Sequence, residues 1–178
     1  MLDIYENTVS NDARFVIGTV GNNPLVCFGV NPSTATPALL DSTLRIVSNL
    51  VRPPFDSYLM FNLYPQRAKN PDAMHSIYDP ELKAKNERHI AQRIAGRPLM
   101  IYAAWGNLIN KREYLADLLR DILKIPELHD CSWVTRKRTA TGNPRHPLRV
   151  SKSEPFTPLD ISAYAQSLVQ PLPRMSSN

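Results

Sequence analysis

Short apolar runs recur along the chain, each closed by a polar turn and followed by a stretch with helical spacing. Leu25-Val26-Cys27-Phe28-Gly29-Val30, Tyr58-Leu59-Met60-Phe61-Asn62-Leu63 and Leu99-Met100-Ile101-Tyr102-Ala103-Ala104 are nearly continuous apolar segments without alternation. A strand reads this way when both of its faces are covered, as inside a parallel sheet. A further strand is predicted over residues 14–20, with Asn22-Asn23-Pro24 as the turn after it, and a short one over residues 132–135. Leu40, Leu44, Val47 and Val51 fall at helical spacing and predict a helix over 39–51, stopped by Arg52-Pro53-Pro54. Asp79-Pro80-Glu81 is a helix start, with Pro in the first turn and acids at the positive end of the dipole. That helix runs to about Ala95, with Gly96 as its cap. Leu115, Leu118, Leu119 and Ile122 mark a helix over 111–123, and a last one is predicted over 158–169.

Strands alternating with helices predict an α/β fold: three layers, with helices on both faces of a central, mostly parallel sheet. The chain is read as one domain over residues 1–170 with a disordered tail over 171–178. In such a sheet ligands sit at the carboxyl ends of the strands. Three polar motifs each follow an apolar strand: Asn31-Pro32-Ser33, Asn62-Leu63-Tyr64-Pro65 and Trp105-Gly106-Asn107. They are therefore expected to gather at one edge.

Composition narrows the setting. The 178 residues carry 21 basic and 16 acidic side chains, a net charge of +5, which favours an anionic partner such as nucleic acid or a phosphorylated small molecule. Arg136, Lys137, Arg138, Arg145, Arg149 and Lys152 crowd into one region beside His146, a local patch that binds anions better than an even scatter. No apolar run approaches the roughly 20 residues that cross a bilayer, and Met1-Leu2-Asp3-Ile4-Tyr5-Glu6 lacks the basic start of a signal peptide. A cytoplasmic protein without a membrane partner is expected. Cys27 and Cys131 sit in apolar surroundings and read as reduced thiols, and no metal site is assigned. No cofactor is assigned either. The chain has no phosphate-binding Walker loop, no Gly-x-Gly-x-x-Gly, no His-Glu-x-x-His and no Gly-x-Ser-x-Gly.

The motifs carry chemistry of different weight. Gly29 permits close backbone approach, and Asn31 offers both a donor and acceptors; taken alone, Gly29-Val30-Asn31-Pro32-Ser33 reads as a turn. Asn62 at the mouth of a strand needs partners for its amide, which favours reading a ligand. Arg67, in the loop with Tyr64 and Asn70, is either a clamp for phosphate or carboxylate or a solvated side chain. Trp105, beside Gly106, either walls a flat pocket or belongs to the core. Prolines flank Arg145-His146, holding an imidazole that can donate to a leaving group or shuttle a proton, and Pro147 stiffens the same loop. Asp41 is an N-cap, a general base, or a partner that orients Asn31 or His146.

In order, Asn31-Pro32-Ser33-Thr34-Ala35, Asp41-Ser42-Thr43, Asn62-Leu63-Tyr64-Pro65 with Arg67-Ala68 and Asn70-Pro71, Asn86, Ala104-Trp105-Gly106, and Gly142 through Leu148 resemble a bacterial family known as domain of unknown function 1643. More distantly, Gly29 through Pro32, Asn62, Gly106 and His146-Pro147 are similar to the motif order of the uracil-DNA glycosylase superfamily. That resemblance implies a uracil-DNA glycosylase-like fold and hydrolysis of an N-glycosidic bond in nucleic acid or a nucleoside. It implies that Asn31 places the attacking water, Asn62 pairs with the edge of a flipped base, and His146 hydrogen-bonds the departing base. No aromatic lies between Ser33 and Leu50 to stack on a base, and no wedge residue for duplex insertion stands out. Two alternatives follow: a non-catalytic nucleic-acid or nucleotide-binding module, or an enzyme acting on a small phosphorylated metabolite through Arg67 and Arg145.

Overall fold

The computed structural model describes residues 3–168, so the tail expected over 171–178 lies outside the described residues. Seven strands are present among them: β1 (Ile4–Asn7), β2 (Arg14–Gly18), β3 (Pro24–Gly29), β4 (Ser57–Asn62), β5 (Met100–Ala103), β6 (Ser132–Thr135) and β7 (Thr157–Pro158). They form one sheet in the order β1-β2-β4-β3-β5-β6-β7. The inner strands β4, β3, β5 and β6 are parallel, while β1, β2 and β7 add antiparallel margins. The fold is mixed α/β, parallel in its centre.

The helices are α1 (Ser42–Asn49), α2 (Pro80–Ile94), α3 (Tyr114–Ile122) and α4 (Ile161–Ser167). Successive side chains of a strand point to opposite faces, and both faces of the inner strands are covered. Val26 and Phe28 of β3 pack with Ile90 and Ile94 of α2, with Leu115 and Leu119 of α3, and with Tyr164 of α4 in one core. Leu25 and Cys27 pack with Leu44 and Val47 of α1 in another. This two-sided burial is why these strands lack polar alternation.

Several bounds differ from the periodicity. The first helix starts at Ser42 rather than residue 39, because the Asp41 side chain accepts from the Leu44 N–H at 2.9 Å and caps it there. Residues Gly106–Asn110 form a separate 3-10 turn, and Lys111 caps its end by donating its N–H to the Leu108 carbonyl while Glu113 is the N-cap of α3, so that helix begins at Tyr114 rather than residue 111. The left-handed cap of α2 falls on Ala95, one residue before Gly96, which is also at positive φ. β1 and β7 were not expected: Ile4–Asn7 carries only one fully buried side chain, and β7 is two exposed residues ending in Pro158, tolerated at a sheet edge.

The chain leaves β3 through α1 to reach β4 on one side, then returns through α2 to β5 on the other. Strand order therefore reverses at β3. A crevice opens beyond the carboxyl ends of strands at such a reversal.

Candidate functional site

A cavity of about 200 Å³ lies at this reversal, and Gly29, Asn31, Ser33, Asp41, Asn62, Trp105 and His146 all line it. It is smaller than the roughly 300–1,000 Å³ of pockets for drug-sized ligands. Asn31 donates Nδ2 to the carbonyls of Ala68 (2.9 Å) and Pro32 (3.0 Å). With its N–H groups committed, Oδ1 is the atom left to accept from a ligand or water. Asn62 ends β4 and is 1% exposed, yet its Nδ2 has no hydrogen-bond partner among the described residues. An unpaired buried donor costs about 1–3 kcal/mol, and a ligand acceptor removes that cost. A Cβ on Gly29 would fall 2.9 Å from Asn62 Oδ1, so glycine leaves this amide its place. Asn86 of α2 donates Nδ2 to the Asn62 carbonyl at 2.9 Å and fixes the strand end.

His146 receives the Leu148 N–H on Nδ1 at 3.3 Å. In the neutral ring this places the proton on Nε2, making that atom a donor. Burial lowers the His146 pKa from the ordinary histidine value; nearby Asp41 opposes the shift and Arg149 reinforces it. The loop is pinned from behind. The Gly106 N–H donates to the Pro144 carbonyl at 2.8 Å and the Arg145 N–H to the Lys137 carbonyl at 2.8 Å. Gly106 sits at φ +62°, and a Cβ there would lie 3.2 Å from the His146 Cβ.

Trp105 is both core and wall. Its Nε1 donates to the Tyr164 hydroxyl at 3.0 Å, and its ring stacks on Tyr164 with centroids 5.8 Å apart. The Tyr164 hydroxyl in turn donates to Asn143 Oδ1 at 2.8 Å, and Asn143 Nδ2 donates to Asn107 Oδ1 at 3.0 Å. Buried Asn143 thus ties the His146 loop to the 3-10 turn that follows β5 and to α4, a positioning part the sequence flagged only by its place in the motif. Asp41 lines the cavity while capping α1, and among the described residues it makes no hydrogen bond to Asn31 or His146.

The other residues singled out hold the walls rather than line the cavity. The Pro32 carbonyl accepts from the Ala68 N–H at 2.9 Å. Tyr64 is buried; its hydroxyl bonds His75 Nδ1 at 2.7 Å and accepts from the Asp79 N–H at 2.9 Å. Arg67 donates Nη1 to the Tyr5 hydroxyl (2.6 Å) and to Asn11 Oδ1 (2.9 Å). Asn70 caps a short 3-10 turn, and Pro147 opens another. Arg145 has a buried Nε without a partner but lies outside the cavity lining. The arginines proposed for a phosphate are therefore not the ones that line the cavity. Arg14 and Lys69 line it instead, together with Thr43 and Leu148. The signal for Arg14 was a charge opening an otherwise apolar strand.

The basic patch is thinner than its sequence density implies. Arg136 is buried and donates to the carbonyls of Glu154, Ser151 and Lys152 at 2.8–2.9 Å. Lys137 pairs with Glu154 at 3.7 Å. Arg149 and Lys152 are exposed, and so is Leu148, half-exposed at the cavity rim. A larger cleft of about 760 Å³ lies beside α3 and α4, lined by Glu113, Arg138, Asp160 and the Asn143–Tyr164 network. None of Asn31, Asn62 and His146 reaches it. Among the described residues no group of three His, Cys, Asp or Glu side chains is placed to hold a metal, and no helix is long and apolar enough to cross a membrane.

The model of a family described as protein of unknown function (DUF1643) matches residues 14–148, about three quarters of the chain. The chain belongs to this family. The matched span takes in β2 through the His146 loop, so every residue lining the cavity falls within the DUF1643 region. No curated protein and no solved structure matches the chain.

Proposed function

We propose that the cavity recognises a nucleobase and that the protein hydrolyses an N-glycosidic bond in nucleic acid or a nucleoside. The observation that carries this reading is the convergence of Asn31, Asn62 and His146 on one base-sized polar cavity at the strand reversal. The likeness of their motif order to the uracil-DNA glycosylases supplies the reaction class. In this mechanism Asn31 Oδ1 accepts a hydrogen bond from the attacking water and aims it at the anomeric carbon. The bond to the base breaks with its electron pair going to the base. His146, neutral with its proton on Nε2, donates to the base as negative charge gathers there. Asp41 takes the proton the water gives up, and Asn62 pairs with the base edge. Exposed Leu148 at the rim is an apolar side chain of the kind that separates stacked bases.

The test is incubation with uracil-, hypoxanthine- and other modified-base oligonucleotides and with free nucleosides, reading free base by chromatography. At least one substrate should release base, and Asn31→Ala or His146→Ala should slow release by about 10²–10⁴-fold. No release from any of them at high protein concentration overturns the enzymatic reading. The second reading, a binding module without chemistry, is favoured by one observation: Trp105, the one Phe, Tyr or Trp lining the cavity among the described residues, is already stacked on Tyr164. It predicts salt-dependent binding that His146→Ala leaves intact.

A further inference from the structure

Arg14 is 2% exposed and lines the cavity. Its Nη1 donates to the Ala35 carbonyl at 3.0 Å, and its Nε is buried with no partner among the described residues. No carboxylate lies within salt-bridge distance of it among those residues, although a buried cation is normally paired. A second arginine crowds the same carbonyl: Arg67 Nη2 donates to the Ala35 oxygen at 3.3 Å. Lys69 adds a third positive charge at the cavity wall, against which Asp41 is the one acid in the lining. Burial, with Arg67 acting in the same direction, pulls the Arg14 guanidinium down to about 10, while Asp41 opposes it. The cavity thus holds two nine-tenths-buried side chains with unmet N–H groups, Arg14 and Asn62, in a field with excess positive charge.

We infer that Arg14 makes this cavity an anion site, whose ligand is a small planar group with a delocalised negative charge accepting from Arg14 and Asn62. Two sources share that chemistry: a carboxylate, and a nucleobase imide deprotonated at a ring nitrogen, as a base is when it departs with its electron pair. The second source rests on the base-recognition reading; the charge argument does not. In either case Arg14 sets specificity, and with a departing base it adds a charged donor to the one His146 supplies.

The experiment is calorimetric titration of the full chain near neutral pH with 5-nitrouracil, which is ionised there, with uracil as its neutral counterpart, and with benzoate as a carboxylate lacking the imide. The expected result is that 5-nitrouracil binds about tenfold to a hundredfold more tightly than uracil, the range for a charge-assisted hydrogen bond. Arg14→Gln should bring the two within about threefold, and Arg14→Lys should retain part of the preference. Should Arg14→Gln melt before it can be titrated, the nitrouracil-to-uracil ratio of the unaltered protein decides. Equal affinity for the two bases overturns the inference and leaves the base reading standing. Benzoate binding that depends on Arg14, with neither base bound, upholds the anion site and overturns the base reading. If neither 5-nitrouracil nor benzoate binds, the inference is overturned.

Discussion

His146 and Arg14 show how burial, rather than residue type, sets what a side chain does in this cavity. Burial lowers the His146 pKa, so the folded protein resists a proton that the unfolded chain takes up at the ordinary histidine value of 6.5. The contribution of His146 to stability is therefore complete above that value and is lost as the pH falls through the folded pKa. By NMR its ring should titrate below 6.5, and Asp41→Asn should move the midpoint lower still, because the Asp41 charge favours the protonated ring. A midpoint above 6.5, or one that rises in Asp41→Asn, contradicts the assignment of a neutral donor. At this scale Asn31, Asn62 and His146 were legible because each stands where an apolar strand or a proline-stiffened loop gives a polar side chain no packing role. Arg14 was not, since a charge at a strand start is ordinarily exposed. Arg67 lies outside the cavity lining, and its loop position gives no hint that Tyr5 and Asn11 fold back to hold it.

Elements carry these residues to one place, and the Asp41 cap shows how closely the two scales are joined. Asp41 fixes the first turn of α1 and presents its charge to the cavity at once. Asn caps as well as Asp, whereas Ala does not. Thermal unfolding should find Asp41→Ala less stable than Asp41→Asn by about 1 kcal/mol, while both variants lose the charge. Equal stability would mean that the cap contributes nothing and the residue is held for its charge alone. The central strands were legible because two-sided burial erases alternation in Leu25–Phe28 and Tyr58–Phe61. The margins were not. β1 owes its place to antiparallel pairing with β2, the next strand in the chain, and β7 to two residues of β6; the short, mostly half-buried or exposed segments show neither pairing in their own pattern. The 3-10 turn over Gly106–Asn110 escaped notice because five residues are too short to show a periodic apolar stripe of their own.

In the whole molecule, the reversal of strand order at β3 turns separate motifs into a site. The paired loops after β3 and β4, the end of β5 and the His146 loop meet around about 200 Å³, within the region that defines the family. The net charge of +5 gives a general bias toward anions, but buried Arg136 and paired Lys137 leave less of the basic segment free than its density implies. Arg14 and Lys69 place positive charge at the cavity itself. The central claim is that Asn31, Asn62 and His146 act as one base-recognising site. Its most direct test is to follow the side-chain amide signals of Asn31 and Asn62 and the ring signals of His146 by NMR while free bases are added. All three should shift together along one saturating curve for at least one base, with the Asn62 amide moving most because its donor has no partner among the described residues. Saturation that leaves these signals still while residues lining the larger cleft, such as Arg138 and Asp160, move would contradict the account.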